Sequence, residues 1–189
     1  NADAKVNVTI ENLTVDCTAS YCQRGINYND DGALKLNNVT VKGTNVTYAL
    51  NLPGSSDKCE VAINNSSLTG NIALNVWGEN STINAENTTF TAVDNNTEEG
   101  YAAVKLNNDG TTSAAGSVIT IIGGKIDVTG SACTDTEATS NGTSTGKINI
   151  SDSTVVNGKN AEMVAVIRYA DGNSYSFMTI EDAIEFAKT

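Results

Sequence analysis

A short unit recurs six times along the chain: VTIENLTV, LKLNNVTV, VAINNSSL, INAENTTF, ITIIGGKI and INISDSTV. Each copy has an apolar anchor, then Asn, Gly or Asp two positions later, then a second apolar residue three positions further on. The anchors are Ile10, Leu36, Ile63, Ala85, Ile121 and Ile150. The residues at the middle position are Asn12, Asn38, Asn65, Asn87, Gly123 and Asp152, and the closing apolar residues are Val15, Val41, Leu68, Phe90, Ile126 and Val155. Successive anchors lie 26, 27, 22, 36 and 29 residues apart. A constant unit joined by connections of unequal length is how a solenoid reads in sequence.

Within each unit, alternation of apolar and polar residues (Val8 and Ile10, Leu34 and Leu36) turns one strand face inward with period two. The middle position has to bend the backbone sharply, and Asn, Asp and Gly tolerate the left-handed region that such a bend requires. Coils stacked about 4.8 Å apart bring Asn12, Asn38, Asn65 and Asn87 close enough to form a ladder of amide hydrogen bonds. A second pattern keeps step with the first: GINY, ALNL, ALNV and AVKL follow four of the units. It turns Ile26, Tyr28, Leu50, Leu52, Leu74, Val76, Val104 and Leu106 inward and Asn27, Asn51, Asn75 and Lys105 outward. Gly25, Ala49 and Ala73 are expected in a neighbouring outward row, so each coil should hold three strands.

Three strands per coil with an Asn bend between the second and third resembles the right-handed parallel β-helix of pectate-lyase-like proteins. The resemblance covers residues 1–160 and is architectural. It implies an all-β, single-chain, three-sheet solenoid. Residues 161–189 read as a strand, an Asp171-Gly172 turn, a second strand and a helix, either a small C-terminal cap over the final coil or the start of another unit. Thr179 is placed to cap that helix, and Ile180, Ala183, Ile184 and Ala187 share one of its faces. The stretch YSFMTIEDAIEFA is also similar to short units that recur in large bacterial cell-surface proteins.

Lyases of the resembled architecture carry calcium-binding carboxylates and a basic residue outside the GINY-type sheet. The matching row in this chain is Asn27, Asn51, Asn75 and Lys105, which holds no carboxylate. Polygalacturonases carry paired Asp residues with a His, and this chain has no His at all. The commonest acid–base group and metal ligand is therefore missing, which favours a non-catalytic role. Lys105 or Arg24 read as solvated cations rather than bases. The turn sequences NDDG, NNDG and DNNTEEG offer oxygen ligands, so calcium stays open as a cofactor. None follows a calcium-loop pattern, and turn formation explains them.

Other chemistry is narrowed by composition. A net charge of −11 and a pI near 4.2 oppose binding to nucleic acid or to an anionic membrane. No apolar run approaches the ~20 residues of a membrane span. The four cysteines leave two readings open, a Cys17–Cys22 disulfide or small buried thiols, while Cys59 and Cys133 fall too many coils apart to bridge. Abundant Asn, Thr, Gly and Ser with few Lys and Arg suits a secreted or cell-surface protein, and a chain that starts inside a repeat reads as a piece of a longer one.

The candidate binding residues are Asn27, Asn51, Asn75, Trp77 and Lys105, where amides and one indole on a flat outward face suit a sugar ring. The acidic loop containing Asp94, Glu98 and Glu99 is a further candidate region, whereas SACTDTEATSNGTSTG loses the repeat and is expected to form a long excursion. The N-x-S/T matches, including those at Asn12 and Asn87, read as by-products of composition, because a corner Asn is expected to point inward or stack. The function expected is an extracellular, non-catalytic module for adhesion, binding a glycan or a host or bacterial surface protein. The alternatives are a polysaccharide lyase or hydrolase and a plain structural stalk.

Overall fold

The computed structural model describes residues 5–93, 102–107, 114–129, 137–140, 144–157, 165–169, 174–177 and 180–188. The chain winds as a parallel β-helix. Coil one contains β1 (Val8–Glu11), β2 (Thr14–Asp16) and β3 (Cys22–Asn27), and coil two β4 (Ala33–Asn37), β5 (Thr40–Lys42) and β6 (Val46–Leu52). Coil three contains β7 (Glu60–Asn64), β8 (Ser67–Gly70) and β9 (Ile72–Val76), and coil four β10 (Thr82–Glu86), β11 (Thr89–Val93) and β12 (Ala102–Leu106). Coil five follows with β13 (Val118–Ile122), β14 (Lys125–Thr129) and β15 (Glu137–Ser140), and β16 (Lys147–Ser151) and β17 (Val155–Val156) begin a sixth.

Equivalent strands pair in parallel, giving three sheets. The first runs β1-β4-β7-β10-β13-β16, the second β2-β5-β8-β11-β14-β17 and the third β3-β6-β9-β12-β15. All six anchors share one register column: Ile10 pairs with Leu36, Leu36 with Ile63, Ile63 with Ala85, Ala85 with Ile121, and Ile121 with Ile150. In the second sheet Val15, Val41, Leu68, Phe90 and Ile126 form the matching column. Its last member is Val156 rather than the expected Val155, which pairs with Lys125 and is 56% exposed. The sixth bend is a longer turn in which Thr154 N donates to Ser151 O (3.0 Å), and it delays the next strand by one residue.

The bends work as the residue types require. Asn12, Asn38, Asn65 and Asn87 have φ of 54, 53, 49 and 48°, and Gly123 continues the column at 67°. This turns each backbone N–H along the solenoid axis, where it donates to the next coil: Asn12 to Asn37 O, Asn38 to Asn64 O, Asn65 to Glu86 O and Asn87 to Ile122 O, at 2.9–3.0 Å. The side chains are exposed and do not point inward. Of the expected amide ladder, one rung forms among these four residues, Asn38 Nδ2 donating to Asn12 Oδ1 at 2.7 Å. Behind the bends a row of buried hydroxyls takes up backbone groups: Ser66 Oγ accepts from Val39 N (3.0 Å), and Thr88 Oγ1 donates to Ile63 O (3.2 Å).

The core lies between the three sheets, with Phe90, Leu34, Leu36, Leu50, Leu52, Ile63, Leu68 and Leu74 among its fully buried members. Beyond the sixth bend, β18 (Ala165–Arg168) and β19 (Ser174–Phe177) form an antiparallel hairpin, and β19 pairs antiparallel with β16 to extend the first sheet. Asp171, Gly172 and Thr179, on which the expected turn and cap rest, lie outside the described residues. The helix α1 (Ile180–Phe186) sits against this hairpin and reaches the last coil through a Lys147–Glu185 ion pair. On this helix Ala183 is buried, while Ile180 and Ile184 are 58% and 53% exposed.

Candidate functional site

The third sheet carries the site, at a place where its alternation is not strict. Along β6, Ala49 and Leu50 both belong to the core, while Tyr48 and Asn51, on either side of them, both line a surface cavity. Two consecutive core residues depart from strict period two. Ala73 and Ala103 lie in the core at the equivalent place in the next coils. A Cβ on Gly25 would come within 2.5 Å of Val41 Cγ1, itself a core atom. The row Gly25, Ala49 and Ala73 is thus inward, correcting the expected outward placement: small residues fit where the third sheet closely approaches second-sheet side chains such as Val41.

The cavity measures about 360 Å³ and is lined by Gln23, Arg24, Tyr48, Asn51, Pro53, Gly54 and Trp77. Arg24 and Tyr48 are register partners on adjacent coils, so the guanidinium and the phenol ring come from neighbouring rungs. The Pro53-Gly54 turn closes one side, and Trp77 N donates to Leu52 O (2.8 Å), fixing the indole's strand against the coil before it. Arg24 is exposed and forms no ion pair among the described residues. No carboxylate lines the cavity.

Beneath it runs an amide ladder in a column other than the one expected. Asn51 Nδ2 donates to Asn27 Oδ1 (2.7 Å), Asn75 Nδ2 to Asn51 Oδ1 (2.8 Å) and Asn107 Nδ2 to Asn75 Oδ1 (3.1 Å). Asn75 has no exposed surface and Asn51 has 2%, so these side chains face away from the core yet are covered. Amides buried in this way need partners, and each rung supplies one donor and one acceptor to its neighbours. Asn27 ends the ladder and is exposed, with Lys105 half-buried in register with Asn75.

Of the five residues expected to bind, the structure brings Asn51 and Trp77 together in the cavity. Asn75 lies inside the ladder, Asn27 at its exposed end, and Lys105 outside the cavity lining. Sequence reasoning missed Gln23 and Tyr48 and did not join Arg24 to them. The available signal was positional: Arg24 precedes GINY by the interval at which Tyr48 precedes ALNL.

A second depression, about 320 Å³, lies on the outer face of the first sheet, with Ala33 and Ala62 as floor and Lys35, Glu60, Thr82 and Asn84 around it. It contains no aromatic ring. Cys17 and Cys22 are free thiols; burial first, then the neighbouring Cys22, pushes the Cys17 thiol up to about 11. Cys59 is buried and its thiol is raised mainly by that burial, and Cys133 lies outside the described residues, as do Asp94, Glu98 and Glu99. In the NDDG turn, Asp30 Oδ1 accepts from Val6 N (2.8 Å) and Gly32 N (2.9 Å), a turn-stabilising role. Among the described residues no three Cys, Asp or Glu side chains converge, and no helix is long and apolar enough to cross a membrane.

No family model matches the chain, and no curated protein or solved structure is significantly similar to it.

Proposed function

We propose that this chain is an extracellular, non-catalytic binding module that holds a glycan on the outer face of its third sheet. The observation that carries the reading is the cavity itself: an indole, a phenol ring, a guanidinium and two side-chain amides converge on a space of about 360 Å³. Aromatic rings stack on the apolar faces of a sugar, while amides and a guanidinium hydrogen-bond its hydroxyls. Asn51 is pre-oriented by bonds on both sides, to Asn27 and Asn75, so little side-chain entropy remains to be lost on binding.

The lone Trp of the chain supplies the assay. Titration with a panel of neutral and acidic polysaccharides, with and without calcium, should perturb Trp77 fluorescence for at least one glycan without cleaving it. Replacing Trp77 by Ala should weaken that binding at least about tenfold, equivalent to about 1.4 kcal/mol, followed by retention on the immobilised glycan. Release of unsaturated or reducing ends would instead establish an enzyme. Unchanged affinity in both Trp77→Ala and Arg24→Ala would move the site elsewhere.

A further inference from the structure

The corner column holds chemistry that the binding face does not use. Each of Asn12, Asn38, Asn65 and Asn87 is followed two residues later by a hydroxyl, on Thr14, Thr40, Ser67 and Thr89, with no Pro between. That is the acceptor pattern for N-linked glycan. In a chain this rich in Asn, Ser and Thr the pattern alone says little. The expectation that these were by-products rested on inward-pointing or stacked amides; the corner side chains are exposed rather than inward, and stacking joins only Asn12 and Asn38.

Three observations single out one acceptor. The corner Asn residues are exposed on left-handed turns, away from the core. The hydroxyl residues open β2, β5, β8 and β11 in one register column, so amide and hydroxyl are presented together along one edge of the solenoid. Finally, the four amides differ in their surroundings. Asn12 and Asn38 are bonded to each other, and Asn65 is flanked by Asn38 and Asn87 one coil away on either side, about 4.8 Å. Asn65 and Asn87 make no side-chain hydrogen bond among the described residues, and of the two only Asn87 has a glycine, Gly123, in place of a corner Asn on its far side. A Cβ on Gly123 would come within 2.7 Å of Asn87 Oδ1, so the amide leans into a rung that has no side chain of its own.

We propose that Asn87 is an N-glycan acceptor, modified by an oligosaccharyl transferase from a lipid-linked sugar phosphate or pyrophosphate. The Asn87 Nδ2 attacks the anomeric carbon and forms the C1–N bond, and the C1–O bond to the lipid phosphate breaks. The lipid phosphate or pyrophosphate leaves with the bonding electron pair, and a basic group of the transferase takes the amide proton. Nothing is oxidised or reduced. The modification rests on the extracellular route of the proposed function. Its glycan would project from the corner between the first and second sheets and leave the third-sheet cavity open.

The test secretes the full chain from a cell line with an N-glycosylation pathway and maps occupancy by glycosidase release in heavy-oxygen water with peptide mass spectrometry. Asn87 should be occupied. Thr89→Val, which keeps the amide, and Asn87→Gly, which keeps the left-handed bend, should each abolish its glycan, with circular dichroism melts confirming the fold. Asn149, whose matching Ser151 is buried with it, should stay bare. Glycans confined to other sites, or none, would overturn the assignment. For a variant that is not secreted, the purified chain incubated with transferase and lipid-linked donor asks the same question, and no product at Asn87 would again overturn it. Because the cell line supplies the route, a negative result bears on this site and leaves the glycan-binding reading standing.

Discussion

Asn75→Ala should be among the most damaging polar substitutions in this chain. Asn75 is fully buried, donates to Asn51 Oδ1 at 2.8 Å and accepts from Asn107 Nδ2 at 3.1 Å. Truncation removes both bonds, taking a donor from Asn51 Oδ1 and an acceptor from Asn107 Nδ2 at residues that are themselves buried. An unsatisfied buried polar group costs about 1–3 kcal/mol, so the two together should cost about 2–6 kcal/mol, a large share of the ~5–15 kcal/mol typical of a folded domain. Asn75→Asp should be no milder: a carboxylate can accept from Asn107 but cannot donate to Asn51, and it brings charge into a covered position. Asn27→Ala, at the exposed end of the ladder, loses one bond and should cost about 1 kcal/mol. Urea denaturation followed by circular dichroism and by Trp77 fluorescence measures all three. Stability of Asn75→Ala within about 0.5 kcal/mol of the parent by both probes would refute the ladder as a structural element.

Three further outcomes follow from the same geometry. At the bends, Asn65→Gly should be neutral or slightly stabilising, while Asn65→Val should cost about 1–2 kcal/mol through left-handed strain, as read from thermal melts. In the core, Phe90→Ala should cost about 3–5 kcal/mol, because the ring is fully buried between β8 and β14. The third concerns acid: Lys42, 2.8 Å away, holds the Asp16 carboxyl well below the usual carboxylate range. A depressed folded-state pKa adds stability above the unfolded value near 4, and that contribution is lost as the pH falls towards the folded value. Below pH 4 the parent should therefore lose its advantage over Asp16→Asn. An unchanged difference in melting temperature between pH 7 and pH 2 would contradict that assignment.

The solenoid was legible because its two determinants are local. A strict apolar alternation identified all six anchors, and left-handed bends tolerate few residue types, so Asn12, Asn38, Asn65, Asn87 and Gly123 stood out. The amide ladder was harder, because corner and ladder use the same residue. Only the covering of the third sheet's outer face, a long-range property, distinguishes exposed Asn38 from buried Asn75. Strict period two also misled in the third sheet, sending Ala49 and Ala73 to the wrong face. β15 falls inside the stretch expected as an excursion: Ala138 is its one apolar residue, yet Thr139 pairs with Val104 and is buried. Of the cavity, Asn51 and Trp77 were legible as outward residues, but their meeting with Gln23, Arg24 and Tyr48 depends on the stacking of three coils.

The central claim is that the bends stand in a column and are joined coil to coil by their backbone amides. Scalar couplings across hydrogen bonds, recorded by long-range HNCO on the deuterated protein, report those joints directly. Four correlations are predicted: Asn12 N to the Asn37 carbonyl, Asn38 N to Asn64, Asn65 N to Glu86, and Asn87 N to Ile122. Corner amides that exchange freely with solvent, or that couple to carbonyls within their own coil, would contradict the fold.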